Sequence, residues 1–164
     1  MIAPLSYEGP ARSLVLALKL RSERAAARVL AAQMTTAVRE HGLRASALTW
    51  VPGRRADIRR RGYDHAALLA SHVAKDLGLP LLPLLHRTGS SLDQSGLGRI
   101  ERWANVSKAF AARTTSGDIA VIDDLVTSGA TASAVGAALG AMGASGVEVL
   151  AACRAGRPTE GGPG

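Results

Sequence analysis

Two adjacent carboxylates, Asp123 and Asp124, close the short apolar run Ile119-Ala-Val-Ile122 and are followed, after Leu125 and Val126, by Thr127-Ser-Gly-Ala-Thr131. An all-apolar run of this length, bounded by Gly117 and Asp118, reads as a parallel strand covered on both faces. The strand delivers its two acids at its carboxyl end. Between strand and helix the small side chains of residues 127–131 let backbone N–H groups approach an anion closely, and from Thr131 onward the chain is rich in helix formers, with Gly143 as a stop signal. The N-terminal end of a helix carries unpaired donors and roughly half a positive charge, so a phosphate is favoured there. The chemistry suggested is the holding of a phosphorylated sugar. Adjacent strand residues point to opposite faces, so Asp123 and Asp124 are not read as a proton-sharing acid/base pair. Contacts to hydroxyls or to hydrated Mg²⁺ fit them better.

A second group of candidates is basic. The strand expected over residues 48–51 runs into Pro52, Gly53, Arg54 and Arg55, and residues 53–61 hold five arginines against one aspartate. Basic runs are often solvated faces. This one follows the carboxyl end of a parallel strand, where open α/β sheets place their ligand crevices, and the planar guanidinium fork can make two hydrogen bonds to phosphate oxygens at once. His65 and His72 lie seven apart on the next helix, whereas two ligands of one metal more naturally sit four apart, so both read as ordinary polar residues.

These residues need a scaffold, and the chain supplies one. At 164 residues it is read as one domain over residues 1–157, able to bury roughly 70% of its unfolded surface, with a flexible tail at 158–164. Helices are expected over residues 11–20, 23–40 and 63–77, and strands over 48–51, 119–122 and 147–152. Residues 81–87 are apolar enough for a strand, which Pro83 demotes to an edge or to a shorter element from Leu84. Residues 88–98 are full of turn formers, and Arg99, Arg102, Asn105 and Lys108 follow on a short helix. Beside a phosphate site this segment could close over substrate, or it is an ordinary surface loop.

Composition excludes several classes. The single Cys153 rules out an internal disulfide or a multi-cysteine zinc site and fits a reducing cytoplasm. No apolar run approaches the 18 or so residues that span a bilayer, and the first residues lack the layout of a secretory signal, so a cytoplasmic protein is expected. A net charge of +7 suggests an anionic ligand, while aromatics at 3% leave few stacking platforms for single-stranded nucleic acid. Gly96 and Gly98 lack the third glycine of a dinucleotide fingerprint, position 101 being Glu, and no Gly-Lys-Ser/Thr triphosphate loop occurs.

Val121-Ile-Asp-Asp-Leu-Val-Thr-Ser-Gly-Ala-Thr131 resembles the phosphoribosyl-pyrophosphate signature of type I phosphoribosyltransferases. Spaced blocks make the chain similar to the ComF (competence protein F) branch: Tyr7-Glu-Gly9 with Leu18 and Lys19, Val51-Pro52, Arg61-Gly-Tyr-Asp64, Arg87 with Gln94, Arg102 with Asn105, and Ala109-Phe110. Members of that branch commonly carry an N-terminal zinc ribbon, whereas this chain opens almost directly on the Tyr7 block. Their usual Phe-Asn-Gln is Tyr63-Asp64-His65 here.

The resemblance implies a compact α/β fold, a parallel β-sheet flanked by helices with a small hood. It implies binding of 5-phosphoribosyl 1-pyrophosphate with Mg²⁺ and transfer of the phosphoribosyl group to an unidentified, nucleobase-like acceptor. Thr127, Ser128, Gly129, Ala130 and Thr131 would hold the 5-phosphate, and Asp123 and Asp124 the ribose hydroxyls, directly or through Mg²⁺ waters, with no direct metal ligand. Pro52, Gly53, Arg54 and Arg55 would meet the pyrophosphate, and Arg87, Gln94, Arg99 and Arg102 would belong to the closing loop. Two other readings stay open. One is a non-catalytic partner of nucleic acid or the DNA-uptake machinery, using the Arg54 to Arg61 cluster. The other is a sensor that binds the sugar phosphate without turnover. Neither acceptor nor oligomeric state is legible.

Overall fold

A computed structural model describes residues 1–21, 23–88 and 109–156. The architecture is α/β, as expected: a four-stranded parallel sheet of order β1-β6-β5-β2 with helices on its faces. Its strands are β1 (Leu5–Ser6), β2 (Ala47–Trp50), β5 (Asp118–Val126) and β6 (Gly146–Arg154). Two further strands, β3 (Leu85–Arg87) and β4 (Phe110–Ala112), pair antiparallel as a separate ribbon. The helices are α1 (Gly9–Leu20), α2 (Ala25–His41), α3 (Arg55–Arg61), α4 (His65–Leu77) and α5 (Ala130–Ala141). No helix among the described residues is long and apolar enough to cross a membrane.

The sheet has two differently covered faces, and the period of two along β5 sorts its side chains between them. Ala120 and Ile122 join the core that α1, α2 and α4 build, with Leu18, Leu30, Met34 and Leu69 fully buried there. Ile119 and Val121 join the opposite core, with Val135 and Leu139 of α5 and Phe110 of β4. In α2 the buried Ala26, Leu30, Met34 and Val38 recur every fourth residue, which keeps one stripe on the sheet. In α4, Asp64 caps the first turn by accepting the Ala66 amide.

Several expectations are corrected. The arginine-rich segment after Pro52 is not a loop throughout, because residues 55–61 form the short helix α3. Its hydrophobic stripe is nearly absent, and no residue in it is buried, so periodicity could not announce it. β5 does not stop at Ile122: Leu125 and Val126 still pair with Cys153 and Arg154, so the two acids sit inside the strand and not just beyond it. The 81–87 segment makes one isolated bridge, Leu81 to Leu48, and becomes a strand only at Leu85. The expected closing loop leaves the described structure after Thr88 and returns at Ala109.

Candidate functional site

The site is built where β2 ends alongside β5, with Trp50 in register with Ile122 and the Val51 amide bonded to the Ile122 carbonyl at 3.0 Å. This pairing sets the turn after β2 next to the acids of β5. A cavity of about 410 Å³ opens there, and its wall brings Pro52, Gly53 and Arg54 together with Asp123, Asp124 and Thr131. A smaller cavity of about 30 Å³ adjoins it and is lined by Asp123 and residues 127–131. A larger one, about 730 Å³, lies at the amino rim of the sheet between His41, Arg44, Asp118 and Glu148. It contains none of the expected residues, and ligands of open parallel sheets bind at the carboxyl rim.

The turn after β2 is braced from both sides. Asp64 Oδ2 accepts the Gly53 amide at 3.0 Å, and Arg87 Nε donates to the Pro52 carbonyl at 2.9 Å. A Cβ on Gly53 would stand 3.4 Å from Asp64 Oδ1 and from Ile58 Cγ1, at van der Waals contact with both. The Arg87 guanidinium also lies 4.7 Å from the centroid of Phe110, fixing its plane. Burial, and then the neighbouring Arg54, lower the pKa of Arg87. Arg55 is exposed as the first residue of α3 and does not line the cavity.

In the turn after β5, Gly129 holds φ 79° as the residue preceding α5, and Ser133 returns its amide to the Gly129 carbonyl at 2.9 Å. Thr127 and Ser128 are exposed, while Gly129, Ala130 and Thr131 are half-buried. The Ala130 amide donates to Ser128 Oγ at 3.4 Å, and the first residues of α5, 130–132, line the small cavity beside Asp123, so that cavity lies at a helix N-terminus, a place suited to an anion.

The two acids are not equivalent. Asp124 lies on the face covered by α1 and α4, with its side chain only 2% exposed. Its Oδ1 is 3.0 Å from Lys19 Nζ, and its Oδ2 is 3.1 Å from His65 Nε2, a close approach without an aligned hydrogen bond. Burial alone would raise the pKa of Asp124, but the neighbouring His65 and Lys19 outweigh it and hold the carboxyl below the usual range. Asp123 shares a cavity with residues 127–131 on the other face, and its Oδ1 accepts the Asp124 amide at 2.8 Å. Burial first, and the charge of Asp124 next, push Asp123 up to about 8. Among the described residues no group of three or more His, Cys, Asp or Glu is placed to hold a metal ion.

Sequence reasoning gave no site role to Lys19 or His65, and gave Arg61 one only within the Arg54 to Arg61 cluster, yet all three line the cavity beside the two acids. Lys19 belongs to a block quoted for the family resemblance, but its local pattern is only that of a helix end. His65 was read as an ordinary polar residue. Gln94, Arg99 and Arg102 lie outside the described residues, so among the residues expected in the closing loop only Arg87 is described.

No family model matches the chain. It is 29% identical over 140 residues, 81% of its length, to Competence protein F of Haemophilus influenzae, and it spans 61% of that protein. That relative carries the name of the branch that the sequence motifs resemble. Solved structures similar to the chain include a glutamine phosphoribosylpyrophosphate amidotransferase from B. subtilis complexed with ADP and GMP, at 21% identity, covering 77% of this chain and 26% of that one with a TM-score of 0.49. An adenine phosphoribosyltransferase from Thermoanaerobacter pseudethanolicus is 15% identical, covering 82% and 83% of the two chains with a TM-score of 0.48.

Proposed function

We propose that the chain binds 5-phosphoribosyl 1-pyrophosphate with Mg²⁺ at the carboxyl rim of its sheet and transfers the phosphoribosyl group to a nucleobase-like acceptor. One observation carries this reading. The turn after β2, the turn after β5 and the acids of β5 meet around adjoining cavities that share Asp123 and Thr131, a layout that suits two anions with a carboxylate between them. The similarity to Competence protein F and the signature around Asp123 support the same branch.

In this reading the amides of residues 127–131 hold the 5-phosphate, with Thr127, Ser128 and Thr131 hydroxyls assisting. The Pro52 to Arg54 turn, held by Asp64 and Arg87, takes the pyrophosphate. The bond between ribose C1 and the pyrophosphate oxygen breaks with its electron pair leaving on pyrophosphate. The acceptor donates a lone pair to C1 and releases its proton to solvent. Asp123 stabilises the positive charge that grows on the ribose ring, and the arginines stabilise the leaving group. Mg²⁺ binds oxygen donors and commonly needs only one or two carboxylates plus substrate phosphates, a demand that the Asp123 carboxylate fits. When bound, it neutralises charge on the pyrophosphate.

Calorimetry with 5-phosphoribosyl 1-pyrophosphate and Mg²⁺ tests the reading. Saturable binding that Asp123→Asn abolishes is the expected result, and absence of binding overturns it. Pyrophosphate release with candidate bases then separates transferase from sensor.

A second reading, contact with nucleic-acid phosphates, is favoured by α3, which buries no residue and turns Arg55, Arg59 and Arg60 to solvent. Each phosphate contact adds nearly one unit to the slope of log affinity against log salt. A flat slope on duplex or single-stranded DNA removes this reading.

A further inference from the structure

We infer that Lys19 and His65 are positioning residues of this site: they fix Asp124 as an internal counter-ion, leaving Asp123 as the acid that meets the ligand. The inference rests on the proposed phosphoribosyl-pyrophosphate reading for its second half, whereas the first half concerns the protein without ligand.

Three elements distant in sequence converge on one carboxylate. Asp124 projects from β5 on the same face as Ala120 and Ile122, toward the layer of α1 and α4. Lys19 reaches it from the last turn of α1 at 3.0 Å, and His65 from the first residue of α4 at 3.1 Å. At 2% exposure, water offers Asp124 little competition for these partners, and a buried carboxylate is tolerated only while it is paired.

Beside the charge cluster the end of α1 is also held from α3 and from the turn between α3 and α4. The last carbonyls of a helix lack partners within it. Here Arg61 Nη1 donates to the Lys19 carbonyl at 3.0 Å and Tyr63 Oη donates to the Leu18 carbonyl at 2.7 Å. The end of α1 is therefore held by two backbone contacts from residues 61 and 63 and by one ion pair to β5. Lys19, Arg61 and His65 line the same cavity as both acids, Thr131 and the Pro52 to Arg54 turn. Of the two acids only Asp123 also lines the small cavity, while both oxygens of the 2%-exposed Asp124 carboxylate lie against Lys19 and His65. The alternative is that Asp124 gives up Lys19 and contacts ligand hydroxyls itself.

The test has two arms, using Lys19→Met, Lys19→Arg, Asp124→Asn and the double variant Lys19→Met/Asp124→Asn, which leaves no buried charge unpaired should Lys19→Met fail to fold. The first arm is calorimetric binding of 5-phosphoribosyl 1-pyrophosphate with Mg²⁺. Expected are losses of about tenfold for Lys19→Met and for Asp124→Asn, a double variant no weaker than either single one, and retention within about threefold by Lys19→Arg. Additive losses in the double variant, or an unchanged Lys19→Met, overturn the assignment. The second arm is amide hydrogen exchange at residues 14–20 without ligand. Faster exchange is expected in Lys19→Met and Asp124→Asn and wild-type exchange in Lys19→Arg, whereas unchanged exchange in all variants overturns the clamp. Wild-type protein that binds no sugar pyrophosphate defeats the functional reading and the role given to Asp123, while the exchange arm still decides the clamp.

Discussion

The carboxylate of Asp64 accepts the amide of Gly53 at 3.0 Å through Oδ2 and the amide of Ala66 at 3.1 Å through Oδ1. One side chain thus joins the candidate pyrophosphate turn to the start of α4, and the orientation of the first depends on the capping of the second.

Asp64→Ala removes both bonds. Loss of the cap alone costs about 1 kcal/mol, and the freed Gly53 amide lets the turn move. The expected outcome is lower stability in urea together with weaker binding of the sugar pyrophosphate. Asp64→Asn retains an acceptor at the cap and should lose less of each. Equal affinity in all three proteins would detach the turn from ligand binding.

The raised pKa of Asp123 fixes a pH dependence. A carboxyl whose folded-state pKa lies above its unfolded value contributes stability that is complete below the unfolded pKa and is lost as pH rises through the folded one. Burial and Asp124 raise it, while the Asp124 amide and Lys19 oppose them. Thermal melts of the ligand-free protein should therefore show stability falling as pH rises to about 8, with Asp123→Asn flattening the decline. Mg²⁺ favours the ionised form, so binding of the metal and sugar pyrophosphate should tighten over the same range and release a proton. Calorimetry in buffers of different ionisation enthalpy measures that proton, and a proton taken up would contradict the assignment.

Gly129 adopts φ 79°, and nothing lies within 4 Å of the place a Cβ would occupy. A side chain there meets backbone strain without a clash, at a cost of about 1–2 kcal/mol. Gly129→Ala should lower unfolding free energy by that amount and weaken phosphate binding at the turn. Denaturation curves and titration with inorganic phosphate provide the two readouts.

Cys153 is fully buried in β6, and burial pushes its thiol up to about 11. The thiolate is the reactive form, so iodoacetamide should leave the native protein unlabelled near neutral pH and modify it once denatured. Rapid labelling of native protein would mean that this part of the sheet opens readily.

What the sequence made legible follows from local periodicity. The apolar run 119–122 announced the central strand, and alternation along it placed Asp123 and Asp124 on opposite faces, as the contacts of Ala120, Ile122 and Val121 with separate cores bear out. The junction of Lys19 with Asp124 was not legible, because α1 and β5 are distant in sequence and no local spacing records their meeting. β1 has only two residues, too few to form a pattern. The carboxylates end the apolar run, but pairing resumes beyond them at Leu125 and Val126, which hid the last residues of β5.

The pairing of Leu5 with Cys153 and of Ser6 with Arg154 has a consequence for biosynthesis. During translation the first strand leaves the ribosome long before its neighbour exists, and β6, which separates β1 from β5, is made last among the sheet strands. The nascent chain can gather α1 and α2 early, but it cannot close the sheet until residue 154 has emerged. Pairings this distant in sequence carry a loop-closure cost before they return any contact energy. Until then β5 presents an open edge beside the two acids, and that interval is when a holding chaperone would have most to protect.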